Sequence, residues 1–229
     1  MEKLVYLLWK EPGLSGNAFR DRLLAKLPNR LPLDGASGLK ISVTDDDVGD
    51  GGDLHMGPAV PDAFVSFWLE CAQDRSPAET TLAMSSERLA GHLVVESRPL
   101  RFDLSAGEVG GRTPGFSLIG CIPRARGLSR EEFISHWYGV HREVAIATQS
   151  SFSYVRNEIV RAFTPTPWSW DAFVEEGFPI GALDDPKVFY DADGSEERYR
   201  RNLSRMIESC RAFIDLESVD SHPMSEYRF

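Results

Sequence analysis

The chain has 229 residues, 42% of them hydrophobic and 26% charged, a balance that describes a folded globular protein rather than a disordered one. A formal net charge of −10 argues against the clustered basic surface that phosphate recognition needs, so no nucleic-acid partner is expected. No apolar run approaches the roughly 20 residues of a membrane span, and the opening MEKLVYLLWKEPG has no cleavage-site pattern, so we expect a cytoplasmic protein without a membrane partner.

The three cysteines, Cys71, Cys121 and Cys210, are far apart, which excludes a CxxC metal or redox pattern and favours free thiols. Length accommodates two sub-domains of about 110 residues each. An internal repeat supports that division. LVYLLWKEPGLSGNAFRDRL (4–23) aligns with SLIGCIPRARGLSREEFISHW (117–137), placing Gly13-Leu14-Ser15 on Gly127-Leu128-Ser129 and Phe19 on Phe133. Farther on, DAFV at 62–65 recurs at 171–174, in the same order and one small indel away. We therefore expect units at 1–108 and 109–229.

In chain order, residues 4–9 read as a short strand closed by a Pro/Gly turn. Residues 76–90 read as the second helix of the first unit and 99–104 as its last strand. SAGEVGGRTPG (105–115) is a Gly-rich linker. In the second unit, residues 116–122 form a strand, and Ser129 followed by Glu132 is a capping box that opens a helix. FSYVRNEIV (152–160) alternates as a strand, WDAFVEEGF (170–178) follows as a third, and 195–214 carries Tyr199, Leu203, Met206, Ile207, Cys210 and Phe213 at helical spacing. MSEYRF closes the unit as a strand. The order β-α-β-β-α-β is the ferredoxin-like unit, so the fold class is α+β: two tandem units whose antiparallel sheets pack into an α+β barrel with a cavity between them.

FISHWYGVHREVA (133–145) concentrates the chemistry. Residues four apart on a helix lie about 40° apart and residues five apart about 140°, so Trp137 and His141 share a face while His136 points elsewhere. HExxH spacing is absent and no metal is expected; a single axial His141 leaves haem open by spacing alone. TDDDVGDGGD (44–53) is out of register for an EF-hand, and neither GxGxxG nor GxSxG occurs.

GLSREEFISHWYGVHREVA and YVRN (154–157) resemble the first helix and second strand of the EthD-type domain of the dimeric α+β barrel superfamily. The first unit departs from it, with Leu23 in place of Trp137 and Leu27 in place of His141. The resemblance implies a tandem barrel with its site in the C-terminal unit. It further implies decarboxylation of aromatic polyketide acids, ring-lactone isomerisation, or an accessory role in oxidative catabolism.

Histidine titrates near neutrality and suits proton transfer, so His141 is the first candidate catalyst. Its partners should come from strands facing the barrel interior. Tyr154 and Asn157 lie on opposite faces of their strand, so at most one lines the pocket, and adjacent Glu175 and Glu176 likewise point to opposite faces. We assign His141, Tyr154 and Glu175 to catalysis and Trp137, Asn157, Glu176 and Phe178 to substrate contact, with Trp168, Trp170 and Phe173 as further aromatic walls. The expectation is a cofactor-free lyase or isomerase acting on a small aromatic, polyketide-like or lactone-like molecule, with a homodimer possible. The alternatives are a non-catalytic ligand carrier serving an oxygenase, a haem protein and a cofactor-free oxygenase.

Overall fold

The computed structural model describes residues 1–49, 51–57, 59, 61–102 and 109–229. Eight strands, β1 (Glu2–Trp9), β2 (Ser37–Val43), β3 (Ala63–Leu69), β4 (Arg88–Leu100), β5 (Phe116–Ile122), β6 (Ser153–Ala162), β7 (Ala172–Phe178) and β8 (Asp220–Arg228), form a closed antiparallel barrel in the order β1-β3-β2-β8-β5-β7-β6-β4. Within it the first four strands run 4-1-3-2 and the last four 8-5-7-6, the same order twice. The two sheets meet edge to edge, through β2 with β8 and β4 with β6, so hydrogen-bonded seams rather than face-to-face packing close the barrel.

Helices α1 (Gly16–Arg30) and α2 (Ser76–Ala83) belong to the first unit. In the second, α3 (Arg130–His136) and α4 (Arg142–Thr148) are joined by a single π turn, Trp137–His141, followed by α5 (Pro186–Phe189) and α6 (Glu196–Arg211). No helix among the described residues is long and apolar enough to cross a membrane.

Two N-terminal expectations need correction. The helix expected over 76–90 stops at Ala83, and the strand expected at 99–104 is β4, running from Arg88 to Leu100. ERLAGHLVVES carries helix formers, yet β4 is hydrogen-bonded to β1 on one side and β6 on the other. Ladder pairing on both edges outweighs a helix propensity of a few tenths of a kcal/mol per residue, about 0.5 at most for these side chains. Residues 101 and 102 of that expected strand are not in a strand, and residues 103 and 104, the first four linker residues (105–108) and with them the boundary at residue 108 lie outside the described residues.

Alternation along the strands builds two cores. Leu4, Tyr6 and Leu8 face outward and pack against Phe19, Leu23 and Leu27 of α1. Val5, Leu7, Phe64, Ile119, Phe173 and Met224 point inward and fill the barrel. Cys121 is buried in that inner core, and all three cysteines are free.

Candidate active site

Helix α3 begins as its sequence requires: Ser129 Oγ accepts from the Glu132 amide at 3.2 Å, and the Glu132 carboxylate accepts from the Ser129 amide at 2.8 Å. One turn on, Phe133 and Trp137 are buried against the sheet. The helix then widens into the π turn, whose i→i+5 bonding brings residues five apart towards one face. His136, expected to point away, consequently packs on the same Phe213 ring as His141, with ring centroids 5.2 and 4.7 Å from it.

The outward faces of the second sheet complete the site. On β6, Tyr154 and Arg156 face the helices and Asn157 faces the barrel interior; on β7, Val174, Glu176 and Phe178 face the helices and Glu175 the interior. Tyr154 and Glu176 are direct cross-strand partners. Trp137 Nε1 donates to the Tyr154 hydroxyl at 2.8 Å, and Arg156 donates to the Trp137 carbonyl oxygen at 3.3 Å while lying over the Tyr138 ring.

A cavity of about 250 Å³ lies between these helices and the sheet, lined among others by Leu118, Trp137, His141, Tyr154, Glu176 and Phe213. It is not the barrel interior in which the sequence reading placed the site. The middle of the barrel is filled by side chains and open space remains towards the end lined by Lys40, Trp68 and Glu96, away from His141, whereas the space under α3, α4 and α6 holds the cavity beside it. Its volume lies just below the range of about 300–1,000 Å³ usual for ligand pockets, which limits the occupant to a small molecule.

Electrostatics distinguish the titratable groups. Glu176 has no hydrogen-bond or ion-pair partner among the described residues, and burial pushes its carboxyl up to about 7. The same burial, with His136 and Arg156 nearby, lowers His141 to about 4, so its imidazole is neutral at physiological pH. The Nδ1 of His141 meets Ser209 Oγ of α6 at 3.0 Å. Burial also raises the phenol of Tyr154 far above its ordinary range. An unpaired carboxyl, a neutral imidazole and a phenol thus converge on one apolar chamber, a set suited to moving protons.

The remaining sequence candidates lie elsewhere. Glu175, expected beside His141, is inside the barrel, where its carboxylate accepts from Asn157 Nδ2 at 2.8 Å and pairs with Lys3 and Lys40. These two ammonium groups and the Asn157 bond outweigh burial and hold it well below the usual carboxylate range. The period-2 alternation separates Glu175 from Glu176 and Asn157 from Tyr154, so one member of each pair is removed from the cavity. Phe178 is on the helix side but stacks on Phe189, centroids 4.4 Å apart, and Phe189 rather than Phe178 lines the cavity. Trp168 and Trp170 stack with Trp9 at a barrel end, and Phe173 fills the interior.

Sequence reasoning missed Tyr190, Cys210 and Phe213 as cavity residues and Ser209 as the partner of His141. Its apolar face on α6 ran through Tyr199, Leu203, Met206, Ile207 and Cys210; of these Met206 is in the buried seam, but its companions there are Asn202 and Ser209. The signal was the spacing of these three, masked because two are polar.

Residues 125–204 match the EthD domain family. No curated protein matches the chain. Among solved structures it is similar to an anthrone oxidase-like protein, with a TM-score of 0.51 and 7% identity over 99% of this chain and 92% of that one. A provisionally named monooxygenase from Lactobacillus acidophilus NCFM follows at a TM-score of 0.47 and 10% identity, over 98% of this chain and 93% of that one. A provisionally named chlorite dismutase gives 0.47 and 10% identity over 100% and 94%. At 7% identity the first likeness speaks for the fold alone, and the other two are weaker still.

Proposed function

We propose, from the match of residues 125–204 to the EthD domain family in one half of a closed α+β barrel, that the chain is an enzyme moving a proton on a small aromatic, polyketide-like or lactone substrate. The observation that carries this reading is Glu176: a buried carboxyl beside Tyr154 that lines the same apolar cavity as His141, with no countercharge. A buried acid without a partner costs stability, and a catalytic site is where such a cost is retained. In this reading Glu176 takes the catalytic place that the sequence assigned to Glu175, and Trp137 holds the phenol of Tyr154 in position.

The chemistry follows from the three groups. A carboxyl with a pKa of about 7 is half ionised near neutrality and both accepts and returns a proton there. His141 and Tyr154 present polar hydrogens to a substrate oxygen, and Leu118, Val174 and Phe213 hold an apolar ring. Decarboxylation and double-bond isomerisation both proceed from such an arrangement.

The test is a mass-spectrometric turnover screen with aromatic acids, unsaturated lactones and anthrones, the last because a protein of like fold is named for them. Wild type, His141→Ala and Glu176→Gln are compared after each is shown to fold. Loss of carbon dioxide, or a shifted retention time at constant mass, with both variants impaired, is the expected result. A ligand retained unchanged by wild type overturns the reading in favour of a carrier, and conversion that survives in Glu176→Gln removes that carboxyl from the chemistry.

A further inference from the structure

The hydrogen bond between His141 and Ser209 fixes more than orientation. Ser209 Oγ lies 3.0 Å from His141 Nδ1, and that contact is its only side-chain hydrogen bond among the described residues. Thr80 and Thr148 in helices, and Ser85 and Ser86 just past the end of α2, return their hydroxyl to the carbonyl four residues back, whereas helical Thr81 donates to Asp34 and Ser209 meets His141. Its side chain is buried on the inner seam of α6. A buried hydroxyl with one neighbour donates to that neighbour, because accepting instead would leave its own proton without an acceptor.

We propose that Ser209 locks His141 in the Nε2–H tautomer, making it a neutral hydrogen-bond donor to a carbonyl oxygen, and that the substrate is therefore a carbonyl compound with an acidic C–H. This rests on the proton-transfer reading above and narrows it. Glu176 removes the C–H proton, and the electron pair left behind moves onto the carbonyl oxygen. The resulting enolate oxygen accepts from His141 Nε2–H and from Tyr154 O–H. The Tyr154 hydroxyl already accepts from Trp137 Nε1 and donates to no group among the described residues. Two donors and one carboxylate divide the labour as enolisation requires, with no charge stranded on the imidazole. Return of the proton to a different carbon gives an isomer; exchange with solvent before return gives a labelled substrate.

The groups around the pair agree with this assignment. His136 and Arg156 bear on His141, and both disfavour an imidazolium. Phe213 covers one ring face. Around Glu176 stand Tyr154, Tyr190 and Cys210, whose pKa values are all raised by burial, so none of them supplies a competing base at neutral pH.

The ligand-free full chain, with nitrogen-15-labelled histidine, tests the tautomer directly by NMR at pH 7; the His141 signals are assigned by their loss in His141→Asn. The expected spectrum has a pyridine-type Nδ1 and a pyrrole-type Nε2 in wild type and in Ser209→Thr, and a tautomer mixture in Ser209→Ala. A protonated Nδ1 in wild type, or an unchanged pattern in Ser209→Ala, overturns the inference. In deuterium oxide, an anthrone should take up deuterium at its ring methylene, the acidic carbon conjugated to the carbonyl across the central ring, and a β,γ-unsaturated lactone at the carbon between the carbonyl and the double bond. Ser209→Ala should slow that exchange about tenfold through kcat with KM little changed, and Ser209→Thr should restore it. Nε2–H without exchange on either probe overturns the substrate class. Glu176-dependent turnover alongside a protonated Nδ1 overturns this inference while leaving the proposed function standing.

Discussion

At the scale of single residues, Glu176 makes the sharpest demand. Its carboxyl is raised from 4.5 to about 7, so the folded chain binds a proton there that the unfolded chain has released. That contribution is complete below pH 4.5 and is lost as pH rises through 7, and a shift of this size is worth about 3 kcal/mol. Glu176→Gln is therefore expected to be more stable than wild type at pH 8 and about equal at pH 4, read from urea midpoints at the two values. If the carboxylate is the base, the rate climbs with pH through about 7 in wild type, and that inflection is absent in Glu176→Gln. Trp137→Phe tests the neighbouring bond. It removes the donor to Tyr154 and leaves a void, with an expected cost of about 2 kcal/mol in thermal or urea unfolding. That Trp137 and His141 line one cavity was legible in their spacing, within a short run that has no counterpart in the first unit. The choice between Glu175 and Glu176 was not, because two adjacent acids on a strand look alike until the sheet has a defined inner and outer face.

At the scale of elements, the capping box at Ser129 was written in the sequence and forms as written, since it needs only residues three apart. Ser129→Ala is expected to lower stability by about 1 kcal/mol, read as a fall of a few degrees in Tm, and to disturb the first turn more than the cavity. The π turn was not legible. Regular helix spacing separates His136 from His141, and only the packing of α3 and α4 over the sheet reveals the wider turn that gathers both on Phe213. The seam of α6 was hidden for a related reason. Asn202 and Ser209 are buried because each has a specific partner, the Tyr190 carbonyl oxygen at 2.7 Å and His141, and polar side chains of that kind are invisible to an apolar pattern.

At the scale of the whole molecule, closure of the barrel and its acid sensitivity both follow from what the strands enclose. Closure pairs β4 with β1 and β6, and β8 with β5 and β2, so no strand serves as an edge. Amide hydrogen exchange should show the paired stretches of β4 and β8 as protected as β1; fast exchange confined to β4 and β6 would mean that the seam opens on its own. His92 and His222 are buried in or beside the inner core, and burial lowers them to about 4 and about 3. Groups with depressed pKa values favour the folded state above pH 6.5, and that contribution is lost as pH falls through 4, since the unfolded chain takes up protons first. With His141 behaving likewise, three such sites at about 3 to 5 kcal/mol each are comparable to the whole stability of an ordinary domain. Cooperative acid unfolding is expected between pH 6 and 4, followed by circular dichroism, and His222→Leu should move its midpoint to lower pH. The repeat disclosed this architecture early, because duplicated segments in the same order constrain topology even when individual strand ends are misplaced.

In the first unit, Leu23 and Leu27 stand where the second has Trp137 and His141, and both leucines are sealed in the core beneath α1. Two halves of one chain thus answer to different judges. A substitution at Leu23 or Leu27 is filtered by packing alone, so methionine or isoleucine should survive there in a library selected only for folding. At Trp137 and His141 the same library, sorted first for folding and then for turnover, should show two separate thresholds. A protein assembled from two identical chains must change both sites at once; this chain can let one half become pure scaffold and still evolve the other.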